Sequence, residues 1–244
     1  MRNERVFEIG TARGGVWAGQ QSQFDPIRDL PDVPVMSETL LLMELMVRGR
    51  SVDLSQVSEL VLGDLGAALQ VLRLAGRECT AGDDLPRRIE DCISGLGLHS
   101  CLETMSRRTI KRSSRSPEMI DAWTHARAIA ESCQALAEET SPSMSAEDAY
   151  LVGLFHAIGS LPFVLGWDRT IELTGNPEVL GLRMAQAWSL PSCVAEYFAP
   201  LRSISGPNRW REMVRQAHHR ANCSMADDLL IEANMGNWAR ALSS

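Results

Sequence analysis

The chain has 244 residues, of which 45% are hydrophobic and 23% are charged, and its formal net charge is −7 at pH 7. This composition is ordinary for a globular protein, and the length suits one large domain or two small ones. The negative charge argues against general attraction to nucleic acid. No stretch reaches the roughly 18 apolar residues of a membrane helix, and the first residues lack the apolar segment of a secretory signal, so we expect a cytoplasmic protein.

The first 24 residues show no sustained periodicity, and we interpret them as a leader. From Leu30 onward almost every segment has helical spacing. The first predicted helix has Ser37 as its N-cap and ends before Gly49. Its apolar residues recur at helical spacing: Leu41, Leu42, Leu45 and Met46.

The next segments predict four more helices in the first half of the chain. The stretch "DLSQVSELVLGDLGAALQVLRLAG" is apolar at helical spacing up to Gly76, and Gly63 with Asp64 indicates a break between two short helices. The stretch "RRIEDCISGLGLHSCLETMSRR" predicts two further helices that meet at the bend 95–97. No segment alternates at period two for long enough to predict a strand.

A second half begins near Ser116, the predicted N-cap of a long helix with Pro117 in its first turn. Ser145 and Asp148 form a capping-box pattern at the start of the next helix. Two helices, at about 178–189 and 191–199, are separated by Leu190 and Pro191, and later helices are expected at about 209–224 and at the chain end. The stripe of the long helix consists of Met119, Trp123, Ala126, Ala130, Cys133 and Ala137.

These patterns predict an all-α protein built as a two-lobed helical bundle, with a first lobe at 25–115 and a second at 116–244. The six cysteines are dispersed without a C-x-x-C pair, which favours reduced, mostly buried thiols over a disulfide frame or a zinc site. They are Cys79, Cys92, Cys101, Cys133, Cys193 and Cys223.

Two histidines lie on predicted helices of the second lobe. His156, in "LVGLFHAIGS", is on an apolar face where Gly153 would let another helix approach closely, and His125 lies at the edge of the long helix's stripe. Each histidine alone is most simply a buried core residue. Trp123 and Trp188 are likewise interpreted as core anchors rather than ligand stackers.

The order of these motifs resembles a known superfamily. Trp123-x-His125 on a long helix, then "GLFHAIG", then "WSLP" is similar to the HD superfamily of metal-dependent phosphohydrolases. The segments "LPDVPVMSETLLLMEL", "DLSQVSELVLGDLGAALQVLRLAG" and "IEDCISGLGLHSCLE" are similar to the first lobe of its HDOD (HD-related output domain) branch. The resemblance spans about 25–225 and departs from the family pattern at Gly66 and Gly76.

The resemblance also implies that the metal site has degenerated. An HD centre holds its cation with a histidine, a His-Asp pair and a later aspartate, because a hard ion that activates water needs carboxylate ligands as well as imidazoles. Here Ala157 follows His156, and His218 stands where the later aspartate is expected. We therefore expect no catalytic residues, no bound metal and no cofactor, with His125, His156 and His218 as vestigial metal positions.

An alternative use of these histidines stays open. If His218 occupies the aspartate position, His125, His156 and His218 could form a three-imidazole set suited to zinc. The simpler interpretation, which we favour at this point, is that His218 and His219 are solvated or hydrogen-bonded residues of the last helix.

A basic cluster lies near the junction of the two lobes. It can be a solvated link, since charges keep such a segment exposed, or a contact for a phosphate or an acidic partner, since guanidinium groups bind such anions bidentately. No aromatic residue lies nearby to stack on bases. The cluster consists of Arg107, Arg108, Lys111, Arg112 and Arg115.

The HDOD resemblance implies a non-enzymatic regulatory domain of bacterial signal transduction. We expect it to act through a protein partner, or through a small anionic ligand in the degenerate HD pocket, and we expect neither nucleic acid nor a membrane as a partner. The alternative is a divergent metal-dependent phosphohydrolase that acts on a nucleotide or a cyclic dinucleotide. The candidate contacts for a ligand or partner are His125, His156 and the five residues of the basic cluster.

Overall fold

The computed structural model describes part of the chain, and in this part the protein is all-α apart from one pair of two-residue strands. The predicted leader, the predicted helix at the chain end, Cys79 and Cys223 lie outside it. The four remaining cysteines are buried and are not in disulfide bonds. None of the described helices has the length and apolar character needed to cross a bilayer. The described residues are 27, 30–49, 52–78, 88–107, 109–110, 115–140, 144–167, 176–200 and 208–221.

The first lobe consists of short helices and the strand pair, in which Val35 lies opposite Thr109 in a parallel register. The break at Gly63 and Asp64 and the bend at Gly97 are confirmed. Gly97 has φ 80°, a left-handed conformation that glycine adopts without steric cost. The elements are β1 (Val35–Met36), α1 (Ser37–Arg48), α2 (Leu54–Leu62), α3 (Leu65–Glu78), α4 (Ile89–Leu96), α5 (Leu98–Ser106) and β2 (Thr109–Ile110).

Three details of the first lobe differ from the sequence predictions. Ser37 is the first residue of α1 and not its N-cap, because the preceding Met36 is held extended in β1. Gly76 does not end α3, which continues to Glu78 since a glycine weakens a helix without removing a hydrogen bond. The leucine stripe of α1 marks a helix but not its buried face, which is formed by Thr39 and Met43. The exposed side chains are Leu41, Leu42 and Leu45, which are 57%, 47% and 56% exposed.

The described helices of the second lobe follow the predicted order, with one addition, a short helix at Leu161–Val164, which the sequence analysis did not predict. The Ser116 hydroxyl accepts a hydrogen bond from the Met119 amide, and the Ser145 hydroxyl accepts one from the Asp148 amide, so both predicted N-caps are confirmed. A single 3₁₀ turn at Ile158–Ser160 follows α7. The helices are α6 (Pro117–Thr140), α7 (Ala146–Phe155), α8 (Leu161–Val164), α9 (Pro177–Ala187), α10 (Ser192–Phe198) and α11 (Arg209–Arg220).

Helices α6 and α7 cross at very short distance, and Gly153 is the reason. A Cβ atom at Gly153 would lie 2.6 Å from Ala130 Cα and 2.8 Å from the Ile129 carbonyl oxygen, which is too close for any side chain. The prediction that Gly153 admits a neighbouring helix is therefore confirmed. The close crossing brings the C-terminal end of α7 alongside the middle of α6.

The two lobes share one continuous hydrophobic core, and polar contacts connect them. The Trp123 indole donates a hydrogen bond to Asp64 at 3.0 Å, and the Tyr150 hydroxyl donates one to the Leu62 carbonyl oxygen at 3.1 Å. Trp123 is buried, as predicted. A cation–π contact of 4.7 Å places Arg73 of α3 over the ring of Trp188, which is buried as predicted.

Candidate functional site

Three histidine rings from separate segments meet inside the second lobe. His125 lies on α6, His156 directly follows α7, and His218 lies on α11. The ring centroids are 5.2 Å apart for His125 and His156, 5.1 Å for His125 and His218, and 5.0 Å for His156 and His218. One ring nitrogen from each residue lies within 4.8 Å of the other two. We call this arrangement the histidine triangle.

Packing and one hydrogen bond fix the triangle's orientation. His125 and His156 are buried, and His156 Nδ1 lies 2.7 Å from the Gly153 carbonyl oxygen. Because a carbonyl can only accept, Nδ1 carries the proton, and Nε2 of the neutral ring keeps its lone pair. Gly153 thus has two roles. Its lack of a side chain lets α6 pack closely against α7, and its carbonyl group orients His156.

The third member of the triangle lies on the last helix. His219 is exposed, as the simpler interpretation expects, but its neighbour His218 is half-buried and contacts both other rings. Its position follows from the amphipathic pattern of α11, in which Met213, Val214 and Ala217 are buried. The structure therefore gathers all three histidines that the sequence singled out.

The donor atoms of the triangle do not fit the hard divalent ion of an HD hydrolase. Ala157 follows His156 and offers no oxygen, and within the described ranges no carboxylate or thiolate joins the group of donors. Ions such as Mg²⁺ and Mn²⁺ prefer oxygen ligands, whereas neutral imidazoles suit zinc and its neighbours in the first transition row.

The basic cluster is not brought to the triangle by any described contact. Arg107 pairs with Glu103 on the surface of α5. Arg115 donates hydrogen bonds to Glu38 and to the Ser37 hydroxyl at the start of α1, and its bond to Glu38 lowers the pKa of that carboxyl group to about 2. Both described members are thus engaged within the chain, and their role as ligand contacts stays a prediction. The other members, Arg108, Lys111 and Arg112, lie outside the described residues.

A cleft of about 740 Å³ opens between the lobes, and none of its lining residues is a histidine. Its wall includes four glutamates and two arginines. Both arginines are paired, Arg88 with Glu147 and Arg127 with Glu131, each at 2.8 Å. Burial raises the pKa of Glu147 despite the neighbouring Arg88. The excess of carboxylates makes this cleft unfavourable for an anion. Its glutamates are Glu59, Glu90, Glu131 and Glu147.

Sequence reasoning missed the role of Asp64, a buried carboxylate that helps to hold the two lobes together. Asp64, interpreted only as part of a helix break, accepts hydrogen bonds from the Met36, Gly66 and Ala67 amides and from the Trp123 indole. An aspartate before an apolar helical run is an N-cap signal, so its bonds to α3 were predictable. Its bonds to Met36 and Trp123 span 28 and 59 residues and have no local signal.

Comparison with known families identifies the class of protein. The HDOD domain model matches residues 33–176, which is more than half of the chain. The chain therefore belongs to the HDOD family, as its motifs predicted. The match ends before α9, so His218 lies outside the matched residues. A comparison with curated proteins found no match.

Solved structures share this fold. A crystal structure of the MmoQ response regulator from Methylococcus capsulatus str. Bath aligns with a TM-score of 0.64 and 14% identity, covering 80% of this chain and 88% of that chain. A second MmoQ structure, of the fragment 20–298, aligns with a TM-score of 0.60 and 16% identity, covering 80% and 86%. At these identities the likeness establishes a shared fold and no more.

Proposed function

We propose that this chain is a non-enzymatic regulatory domain of bacterial signal transduction that acts through a protein partner. The observation that carries the proposal is the composition of the histidine triangle, which has three imidazoles and, among the described residues, no carboxylate. An HD-type hydrolase needs carboxylate ligands for the ion that activates water. Membership of the HDOD family and the fold shared with a protein described as a response regulator support a regulatory role.

Two surface properties favour a protein over a small anionic ligand. The cleft between the lobes has more carboxylates than cations, which makes it unfavourable for a phosphate or a nucleotide. Helix α1 exposes Leu41, Leu42 and Leu45, and clustered exposed apolar side chains are typical of protein contact surfaces. We therefore expect α1 to take part in partner binding.

Partner capture and turnover assays test the proposal together. Purified full-length chain should release no phosphate from nucleotides, cyclic dinucleotides or aryl phosphates in the presence of Mg²⁺, Mn²⁺ or Zn²⁺. It should retain a specific protein from an extract of its native host, and the Leu41→Ser/Leu45→Ser variant should lose that protein. The control is Val179→Ser, which replaces an equally exposed apolar residue on α9 in the other lobe.

Two results would contradict the proposal in different ways. Metal-dependent release of phosphate would refute the proposal that the chain is non-enzymatic. Equal retention of the partner by the α1 variant and by Val179→Ser would exclude α1 as the contact surface. Failure to retain any host protein above the level of an unrelated control chain would refute action through a stable partner.

The second candidate function is a divergent metal-dependent phosphohydrolase acting on a nucleotide or a cyclic dinucleotide. The specific observation in its favour is that His125, His156 and His218 still converge. On this alternative, His156→Ala would abolish phosphate release while His219→Ala, on the exposed side of α11, would leave it unchanged.

A further inference from the structure

We infer that the histidine triangle binds one divalent cation of the zinc class, with a ring nitrogen of His125, His156 and His218 as the three protein ligands. The chemistry of the donors sets the class of ion, because three neutral imidazoles without a carboxylate favour Zn²⁺, Co²⁺, Ni²⁺ or Cu²⁺ over Mg²⁺ and Mn²⁺. This site goes beyond the proposed function and does not depend on it. It also differs from an HD centre in its donor atoms.

The required movement is small. Two nitrogen ligands of a tetrahedral zinc ion lie about 3.3 Å apart, given Zn–N distances of about 2.0–2.1 Å. The nearest ring nitrogens of the triangle lie within 4.8 Å of one another, so each pair needs to approach by at most roughly 1.5 Å. A shift of this size is within the reach of small side-chain rotations within one rotamer well.

Contacts within the protein hold the helices that carry the ligands. The crossing at Gly153 fixes α7 on α6, and α11 packs through its buried Met213, Val214 and Ala217, with a surface ion pair at 2.6 Å between Arg220 and Glu139. The contact of His156 Nδ1 with the Gly153 carbonyl leaves Nε2 as the coordinating nitrogen, which is the usual arrangement for a histidine ligand. The backbone positions of the ligands are thus set by contacts of the chain itself.

A bound ion would connect three segments that are far apart in the chain. Its ligands come from the middle of α6, the end of α7 and the last turn of α11, so it would hold α11 against the α6–α7 pair. A ligand that binds only the folded state raises the unfolding temperature. With free ion at about 100 times its dissociation constant, the expected rise is roughly 5–10 °C.

The test uses the full-length chain after removal of metal with a chelator. Wild-type protein is titrated with Co²⁺ and with Zn²⁺, and bound metal is measured after gel filtration. We expect one ion per chain, the intense visible absorption of tetrahedral Co²⁺ without a thiolate charge-transfer band, and a higher unfolding temperature. Mg²⁺ and Mn²⁺ should produce neither the stoichiometric binding nor the temperature rise.

A pair of neighbouring substitutions separates this site from any other. His218→Ala removes a ligand from a half-buried position on α11, and affinity should fall at least about 10- to 100-fold. His219→Ala removes an exposed imidazole from the next position and should bind like the wild type. Circular dichroism without metal checks that both variants fold.

The inference is overturned by either of two results. In the first, wild-type protein binds less than a stoichiometric amount of Co²⁺ and Zn²⁺ and shows no rise in unfolding temperature. In the second, His218→Ala and His219→Ala bind equally well, which places the ion elsewhere. Both measurements need neither a partner nor turnover, so they stand apart from the tests of the proposed function.

Discussion

Asp64 is a single buried carboxylate that connects three parts of the molecule. One oxygen accepts from the Met36 amide of β1, and the other accepts from the Gly66 amide at the start of α3 and from the Trp123 indole of α6. Only 2% of the residue is exposed, so water cannot replace these bonds. Removing the carboxylate leaves several buried donors without an acceptor, and each such donor costs about 1–3 kcal/mol.

We expect Asp64→Ala to lower the free energy of unfolding by about 3 kcal/mol or more, measured by urea denaturation. The control is Asp53→Ala, because Asp53 caps α2 through the Ser55 amide from an exposed position and should cost only about 1 kcal/mol. Asp64→Asn keeps one acceptor oxygen, so its loss in the free energy of unfolding should lie between those of Asp64→Ala and Asp53→Ala. Equal losses for Asp64→Ala and Asp53→Ala would show that the contacts to Met36 and Trp123 contribute nothing.

At the scale of elements, the crossing of α6 and α7 determines the geometry of the histidine triangle. Gly153 lies against the backbone of Ala130, which follows His125 by five residues on α6, and the Gly153 carbonyl contacts His156. Any side chain at this position would push the two helices apart. The same movement would separate two of the three histidine rings.

We expect Gly153→Ala to destabilise the fold by about 1–3 kcal/mol, because the added methyl group meets rigid backbone atoms rather than a flexible side chain. Gly95→Ala is the matched control, since Gly95 lies within α4 with open space around its Cα atom. There alanine should stabilise by about 0.5–1 kcal/mol through its higher helix propensity. Urea denaturation measures the change in the free energy of unfolding for both variants, and the two changes should have opposite signs. A Gly153→Ala variant as stable as the wild type would contradict the close crossing.

The helices were predictable because their signals are local. The cap at Ser116, the break at Asp64 and the glycine at the α6–α7 crossing depend on residues within a few positions of each other or on one missing side chain. The family pattern placed His125 and His156 together, but it could not orient His218, whose position depends on how α11 packs. The exposed face of α1 was missed because helical spacing reports a helix and not which of its sides is covered.

At the scale of the whole molecule, the lobes behave as one packed unit. Their buried apolar residues form a continuous core, and contacts such as Tyr150 to Leu62, Arg88 to Glu147 and Arg73 to Trp188 cross between them. Neither lobe can lose its structure without exposing part of the other's core. Unfolding should therefore be cooperative over both lobes.

This cooperativity can be measured because tryptophan is unevenly distributed. Residues 25–115 contain none, whereas Trp123, Trp188 and Trp210 are buried in the second lobe. We expect urea transitions followed by tryptophan fluorescence, which reports the second lobe, and by far-ultraviolet circular dichroism, which reports both, to have the same midpoint. Separate midpoints would show that the lobes unfold independently.

The smallest element of the fold, the pairing of β1 with β2, has a consequence for synthesis on the ribosome. Val35 lies opposite Thr109, so the pairing closes a long loop that contains all the described helices of the first lobe. Closing such a loop costs chain entropy and makes contacts of high sequence separation slow to form. The nascent first lobe therefore cannot complete its structure until Ile110 has emerged, and Asp64 receives its last hydrogen-bond donor only when Trp123 follows.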